Sequence, residues 1–326
     1  MKTVRLRRWL AQGLPWLLLL LAVWLVLANT KRPLFLVQVW IPWAHVGALA
    51  LVMTPIIITG GIDLSIGSIT ALSAMVIGIV GQRYGWPMPL AFLSGAVVGA
   101  AAGAINGALV VLGLAPLVTT LATMALFRGL TMALSNGERI SWFGSGIDRL
   151  EKLAGLPIDF WLFAIVAMFV GLLLHATRTG RYCFAIGDNM QAARYAAVPV
   201  KRVQWLLYTL SGLVAGLVAV VYTVHTQAAI PTAMKDAELQ AIACVVVGGT
   251  LITGGRGSVP RTVLGLAVVS LLDIGLELMK TTLQIKLFSA AGRLVLIGVL
   301  LITVAMLNQR AASEAILPRR DKEKKE

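Results

Sequence analysis

Long runs of apolar residues divide this chain into segments of about the length that crosses a lipid bilayer. A transmembrane helix needs about 20 predominantly apolar residues. The runs are continuous and lack the period-two alternation of a membrane barrel, so the pattern predicts α-helices. We expect ten spans, at residues 10–29, 40–58, 64–82, 88–112, 116–134, 158–176, 206–226, 239–253, 262–279 and 287–307.

The eighth of these segments departs from the pattern. It is short and continues into the glycine-rich stretch GGTLITGGRGS, so the sequence predicts a broken or re-entrant helix there. Discontinuous helices of this kind are typical of transport sites, because their free backbone groups can face a solute.

Composition supports a membrane protein. Of 326 residues, 58% are apolar and 13% are charged, and the mean hydropathy is +0.86. An average soluble protein has about 25% charged residues. There are too few charges here to cover a water-facing surface, and no polar stretch is long enough for an independent core. We therefore predict an all-α integral membrane protein, a polytopic helical bundle with interrupted helices that forms a single domain over residues 1–326.

The distribution of charge orients the spans. Lys and Arg are concentrated in residues 1–9, in the connection 177–205 and in the tail 308–326. Cytoplasmic loops are enriched in Lys and Arg, so ten spans with both termini in the cytoplasm place all three segments inside. The loop 135–157, whose acids and bases balance, then lies outside.

Several function classes find no support in the sequence. The net charge of +14 fits the inside bias of a membrane protein and attraction to anionic lipid better than nucleic-acid binding. Cys183 and Cys244 indicate neither a disulfide framework nor a metal site, and His45, His175 and His225 are far apart. The motifs G-x-x-x-x-G-K-[ST] and G-x-S-x-G are both absent, so we predict no catalytic residue, metal or nucleotide site in this chain.

The stretch TGGIDLSIGS, residues 59–68, combines helix-breaking glycines with a carboxyl group. A charged aspartate at the centre of a bilayer costs at least about 2.5 kcal/mol, so Asp63 must be paired, near the interface or facing water. One interpretation is a capping acid at the start of the next helix. The other is a role of Gly60, Gly61, Asp63 and Ser65 in the translocation pathway or its gate.

The fourth predicted span contains GAVVGAAAGAING, in which Gly95, Gly99 and Gly103 recur every four residues. They share one helix face, and small residues allow another helix to approach closely. Close helix packing is the simplest interpretation. Asn106 follows on the same helix and either lines a pathway or bonds to a neighbouring helix.

The connection TGRYCFAIGDNMQAARYAAVPVKRVQW, residues 179–205, contains a short helix signal. Asn189 is the expected N-cap and Pro199 follows the expected end. Ala192, Ala193, Ala196 and Ala197 would form a small, flat face. A short helix between membrane spans suits docking to another protein, and the alternative is a helix lying on the lipid surface.

Taken together, these segments resemble the permease subunits of ribose-type ATP-binding-cassette importers. TGGIDLSIGS, GAINGALV, PLVTTLATMALFRGL, GRYCFAIGDNMQAAR and ELQAIACVVVGGTLITGGRGSV occur in the family's order, and the resemblance extends from about residue 40 to 305. The family also includes permeases for xylose, arabinose, galactose, rhamnose and autoinducer-2. The chain departs from it at Met190 and Gln191, where acids are usual, and at Ala197 and Arg261, where glycine is usual.

The resemblance implies a division of labour among several proteins. Two permeases, either two copies or two homologues, would form the pathway in a bacterial inner membrane. A periplasmic binding protein would deliver the sugar, and cytoplasmic ATPase subunits would hold ATP-Mg, so this chain would need no cofactor. Residues 187–198 would be the coupling helix, with contacts to the ATPase from Gly187, Asn189, Ala192, Ala193 and Arg194.

Two other classes remain open. A secondary transporter driven by an ion gradient would need intramembrane acids, and Asp273 and Glu277 are the candidates, since they lie four residues apart beside Lys280. A membrane scaffold or enzyme without transport activity is the third class.

Overall fold

The computed structural model describes residues 35–141 and 152–283, together with positions 16, 20–23, 292, 295, 298, 299, 302–304 and 306. The first and last predicted spans, and the predicted basic termini, lie almost entirely outside the described residues. The described chain is helical, with two short antiparallel strand pairs.

Ten helices and four strands make up the described part of the chain. The helices are α1 (Phe35–Ile58), α2 (Ile66–Gly78, continued by a π-helical turn, Ile79–Arg83), α3 (Met88–Val111), α4 (Pro116–Ser135), α5 (Ile158–Ala176), α6 (Arg178–Asp188), α7 (Met190–Tyr195), α8 (Val200–Thr226), α9 (Ala237–Val247) and α10 (Val259–Leu283). The strands are β1 (Ile140–Ser141), β2 (Lys152–Leu153), β3 (Leu156–Pro157) and β4 (Ala228–Ala229).

The helical membrane fold agrees with the prediction. Within the described residues, six helical segments are long and apolar enough to cross a membrane: Ile66–Arg83, Met88–Val111, Pro116–Ser135, Ile158–Ala176, Val200–Thr226 and Val259–Leu278. Two shorter apolar helices, Trp43–Ile58 and Ala237–Val247, accompany them. The chain is thus a multi-pass membrane protein, and the number of ten spans stays a prediction.

Helix boundaries follow the apolar runs to within six residues, and the differences are instructive. Helix α5 coincides with the predicted span 158–176, whereas α8 begins at Val200, six residues before the predicted start. Its first turn carries Lys201 and Arg202. Hydropathy detects only the part of a helix that lies in lipid, while backbone hydrogen bonding continues through polar turns beyond it.

The broken eighth segment is present as predicted. Helix α9 has 11 residues, so it is about 16 Å long, roughly half the thickness of the hydrocarbon core. After α9 the chain enters an irregular segment, residues 248–258, in which Gly249, Gly254 and Gly255 have positive φ angles. It ends at α10, whose second residue is Pro260, a favourable position for proline in a first helical turn.

Helices α3 and α8 pack backbone against backbone, and the glycine stripe explains this close contact. A Cβ added at Gly99 would overlap the carbonyl oxygen of Gly212, and one at Gly103 would lie 2.9 Å from both the nitrogen and the Cα of Gly212. Gly95 and Gly216 continue the contact. The predicted role of the stripe in close helix packing is confirmed.

Three glycine-containing motifs meet at one end of the bundle. The Gly255 N–H donates to the carbonyl oxygen of Ile58, the last residue of α1, at 2.9 Å. Gly187, in the last turn of α6, packs against both of these residues so tightly that a Cβ there would overlap the Ile58 carbonyl. Gly78, the last residue of α2, contacts Ala229 of β4, and Ala229 pairs with Ile140 of β1.

Replacing Gly103 by alanine should lower the free energy of unfolding by about 1–3 kcal/mol, because the added methyl group has no space between α3 and α8. Thermal unfolding of the detergent-purified protein, followed by tryptophan fluorescence, measures the change. Gly129→Ala in α4 is the matched control, since a Cβ there meets nothing within 4 Å and alanine favours helix. Equal losses in both variants would contradict the packing argument.

Candidate functional site

The junction between α1 and α2, residues 59–65, is built on a tight helix stop. Gly60 has φ 79°, and its N–H donates to the Ile57 carbonyl at 2.9 Å. The Gly61 N–H donates to the Ile56 carbonyl at 3.0 Å. This is the Schellman pattern of helix ends, in which the left-handed position strongly favours glycine. It turns the chain back into the bundle towards Asp63.

The carboxyl group of Asp63 is the centre of a buried hydrogen-bond network. It is fully buried. Its Oδ1 accepts from the Ser65 N–H at 3.0 Å and from the Ser65 Oγ at 2.6 Å, and its Oδ2 accepts from the Ser211 Oγ at 2.8 Å. Both oxygens therefore have donors, as a buried carboxyl group requires.

Further side chains tie the junction to three helices. Asn106 of α3 donates from Nδ2 to the Ser65 Oγ at 2.7 Å. The carbonyl of Ile62 accepts from Thr120 of α4 at 3.2 Å and, more weakly, from the Tyr208 hydroxyl of α8 at 3.4 Å. The junction is thus held by α3, α4 and α8 at once. The Asn106 Oδ1, also buried, has no hydrogen-bond partner among the described residues.

This network lies deep in the bundle, since Asp63 and Ser211 are both fully buried. Ser211 is the twelfth of the 27 residues of α8, which places it about 16 Å along a helix of about 40 Å. Asp63, bonded to it, therefore lies about two-fifths of the way along that helix, within its apolar part.

The structure brings Asp63, Ser65 and Asn106 together, and places Gly60 and Gly61 at the helix stop beside them. The capping interpretation takes a modified form. Helix α2 starts at Ile66 and its N-cap, Ser65, makes no side-chain capping bond, whereas Asp63 bonds the amide of Ser65 itself. Whether these residues line a pathway stays a proposal.

A second polar cluster was missed by the sequence reasoning. Arg128 of α4 is half-buried and donates from Nη1 to the carbonyls of Pro231 at 3.0 Å and Ala233 at 2.9 Å. Glu238, in the first turn of α9, is 8% exposed and packs against Gly67 of α2. The sequence feature that could have indicated this cluster is Arg128 itself, the single charged residue in the predicted span 116–134.

A third buried pair was also missed. His45 Nε2 of α1 lies 2.7 Å from Oδ1 of Asp159, in the first turn of α5, and both side chains are buried. The His45 ring also contacts Tyr222 of α8 edge to face, with centroids 6.1 Å apart. The two partners are 114 positions apart in sequence, so only the fold could join them. The pair links α1 to α5.

The predicted coupling segment contains two helices, not one. Gly187 belongs to α6 and is packed into the bundle end, so it does not form part of a docking helix. Asn189 is the N-cap of α7 as predicted, and its Oδ1 accepts from the Ala192 N–H at 2.9 Å. Helix α7 ends at Tyr195, so it is shorter than the predicted coupling helix at residues 187–198.

The predicted alanine face is only partly exposed. Ala193 is 4% exposed because its position on α7 points into the bundle, so it is not part of an exposed alanine face. Its contact with an ATPase stays a prediction. Ala192, Ala196 and Ala197 are exposed, beside Tyr195, which is 92% exposed. Ala197 has φ 57°, a left-handed conformation that favours glycine over residues with a side chain.

Cations surround this face. Arg194, Lys201 and Arg202 line an open depression with Val198, Pro199 and Val200. All three basic side chains are exposed, and none forms an ion pair with a carboxylate of the described residues. The depression can therefore accept an anionic group.

The two cysteines are unreactive elements of the packing. Both are fully buried and free. Burial raises the pKa of the Cys183 thiol to about 12, so almost no thiolate forms at neutral pH. Within the described ranges, no three His, Cys, Asp or Glu side chains are grouped as metal ligands would be.

Ser211→Ala should lower the free energy of unfolding by about 1–3 kcal/mol, because it leaves Oδ2 of Asp63 without a donor in a site that water does not reach. Ser73→Ala is the matched control. Ser73 is equally buried, and its Oγ has no hydrogen-bond partner, so that change should cost little. Thermal unfolding compares them, and a Ser73→Ala loss as large as that of Ser211→Ala would contradict the network's importance.

Comparison with known proteins agrees with this architecture. A family model described as "Branched-chain amino acid transport system / permease component" matches residues 34–305. The ribose import permease of Bacillus subtilis is 38% identical over 261 residues, 78% of this chain and 80% of the relative. That of Escherichia coli K12 is 36% identical over 244 residues, 71% and 74% of the two chains.

An import permease for a signalling molecule is comparably similar. The autoinducer 2 import system permease LsrD of Photorhabdus luminescens is 36% identical over 263 residues, 78% of each chain. No solved structure matches. Since the family match covers most of the chain and relatives above 30% identity cover more than two thirds of it, the chain belongs to this family of transport-system permease components.

Proposed function

We propose that this protein is the membrane-spanning permease of an ATP-binding-cassette importer and forms the pathway for a monosaccharide or sugar-like solute. The observation that carries the proposal is the identity of 36–38% to ribose and autoinducer-2 import permeases over 71–78% of this chain. The network around Asp63 supports it, because polar groups at this depth are unusual unless they serve transport.

We infer that the energy for transport comes from a partner ATPase that binds ATP-Mg. The sequence has no phosphate-binding loop. The exposed face of α7 and the basic depression formed by Arg194, Lys201 and Arg202 offer a contact surface of small and cationic side chains. A partner with an acidic rim would complement it. A periplasmic binding protein and a second permease complete the proposed assembly.

The geometry also suggests how the partner's movement would reach the pathway. Helix α7 follows α6, whose Gly187 lies against Ile58 and Gly255. Ile58 ends α1, and the junction with Asp63 begins one residue later. A shift of α6 and α7 would therefore act on the junction directly, and ATP binding would bias the equilibrium between inward- and outward-facing states.

ATP-driven uptake in proteoliposomes tests the function. The permease, co-expressed with its neighbouring transport genes and reconstituted, should accumulate radiolabelled ribose or another pentose when ATP and the binding protein are present, and vanadate should abolish uptake. Uptake that ignores vanadate and collapses with an uncoupler would instead support the secondary transporter. Accumulation by the purified permease alone would exclude the proposal.

The docking surface is tested by charge. Ala196→Glu should weaken co-purification of the ATPase, because a carboxylate and a larger side chain enter the exposed α7 face, while the yield of folded permease stays unchanged. Ala154→Glu is the control: Ala154 is also exposed, but lies between β2 and β3 outside the docking surface. If the two variants retain equal amounts of ATPase, α7 is not the contact.

The proposed topology has both termini in the cytoplasm, so it predicts on which side of the membrane each connection lies. Ala192→Cys should react with an impermeant maleimide only in inverted vesicles, and Lys152→Cys only in intact spheroplasts. The buried native cysteines keep the background low. Labelling of both positions from the same side would refute the proposed topology.

A further inference from the structure

The connection between α8 and α9, residues 227–236, is an irregular segment inside the transport domain. Only Ala228 and Ala229 pair with another strand. Three of its other residues, Gln227, Met234 and Asp236, have φ angles of 49°, 51° and 66°. The segment thus has no continuous secondary structure to satisfy its backbone groups.

This connection descends to the level of the junction. Ala229 contacts Gly78 of α2, whereas the Met234 carbonyl and the Glu238 carboxyl lie against Gly67, eleven residues earlier in the same helix. Eleven residues of helix correspond to about 16 Å. Between these levels Arg128, seven residues before the end of α4, anchors the carbonyls of Pro231 and Ala233.

Polar side chains project from the segment at this depth. Thr232 and Lys235 are exposed, and Asp236 is partly exposed. Irregular backbone at membrane depth does not occur against lipid, but only where protein covers it or where it lines a water-filled cavity. Ionisable side chains in membrane domains likewise face cavities or other protein. This surface therefore does not face lipid.

The lipid-facing type of surface looks different in the same molecule. The exposed side chains of α5 include Ile165, Met168 and Leu172, all large and apolar. The connection shows no such row: its two exposed side chains, Thr232 and Lys235, are polar, and the partly exposed ones include Asp236 and Gln227 as well as Ile230 and Met234. This surface can be covered either by protein or by a water-filled cavity. Exposed charges of both signs favour the water-filled cavity.

We propose that Thr232, Lys235 and Asp236 line the solute pathway and contact a neutral polyhydroxylated solute. The inference rests on the proposed function and deepens it. Solute hydroxyls can donate to the Asp236 carboxylate and accept from the Lys235 ammonium and the Thr232 hydroxyl. One positive and one negative group balance, which suits a neutral solute.

Arg128 and Glu238 are positioning residues behind this surface. Arg128 fixes the backbone of the connection through two carbonyls. Glu238 is buried, its Oε2 has no hydrogen-bond partner among the described residues, and it interacts electrostatically with the Arg128 guanidinium. Together they hold the Lys235–Asp236 turn where α2, α4 and α9 meet.

Cysteine accessibility in the assembled transporter tests the inference. Thr232→Cys and Lys235→Cys should react with a charged, impermeant methanethiosulfonate at least about tenfold faster than Met168→Cys, since only a hydrated thiol ionises. Met168 is the control because it is 64% exposed on the apolar side of α5. Excess D-ribose should slow labelling at 232 and 235, and L-leucine should not.

Each outcome decides a separate point. Absence of labelling at both positions would overturn the inference, and labelling that ribose leaves unchanged would overturn solute contact. Protection by leucine instead would replace the polyhydroxylated solute by an apolar amino acid. ATP-driven ribose uptake by the parent assembly is measured in the same vesicles. If neither ribose nor any other monosaccharide is taken up, the proposed function is overturned, whereas uptake without labelling would overturn this inference alone.

Discussion

The requirement that every polar group at membrane depth find a partner inside the protein governs this structure. Lipid offers no hydrogen bonds, so a chain that leaves helical geometry there must be enclosed by other side chains or by water. The junction at residues 59–65 meets the requirement with protein groups. The hydroxyl and amide groups of Ser65, Ser211, Asn106 and Thr120 form hydrogen bonds in the part of the junction that follows the helix stop at Gly61. The junction, α3, α4 and α8 are thereby held together around the Asp63 carboxyl group.

Glycine makes the same solution possible elsewhere in the bundle. Where α3 meets α8, the absence of side chains lets two backbones touch, and no lipid-facing polar group results. At the bundle end, the Ile58 carbonyl would be left free by the end of α1, but the Gly255 N–H reaches it. Close approach at these points replaces the hydrophobic driving force that is weak between helices in lipid. The result is a rigid frame around an irregular interior.

The sequence predicted the parts of this arrangement that depend on local chemistry. Apolar runs indicated the helices, the four-residue glycine period indicated the α3 contact, and Asn189 indicated the start of α7. The sequence did not predict contacts between distant positions. Ser211 is 148 positions from Asp63, and Asp159 is 114 positions from His45. The orientation of Ala193 was also missed, since a six-residue helix is too short for its pattern to show which side faces the bundle.

Helix α8 runs from the basic depression, past the junction, to the irregular connection at residues 227–236. Its first turn carries Lys201 and Arg202 at the basic depression, Tyr208 and Ser211 reach the junction, and it leads at Gln227 into the irregular connection. Its contact with α3 is too close to permit sliding without clashes, because Gly103 and Gly212 already touch. A force applied at its first turn would therefore move α3 and α8 together as one body. The irregular segments 59–65 and 227–236 are joined to that body, the first through Ser211 and the second through the end of α8, so its movement would act on both. In the proposed transport cycle, these are the segments at which the solute pathway would open and close.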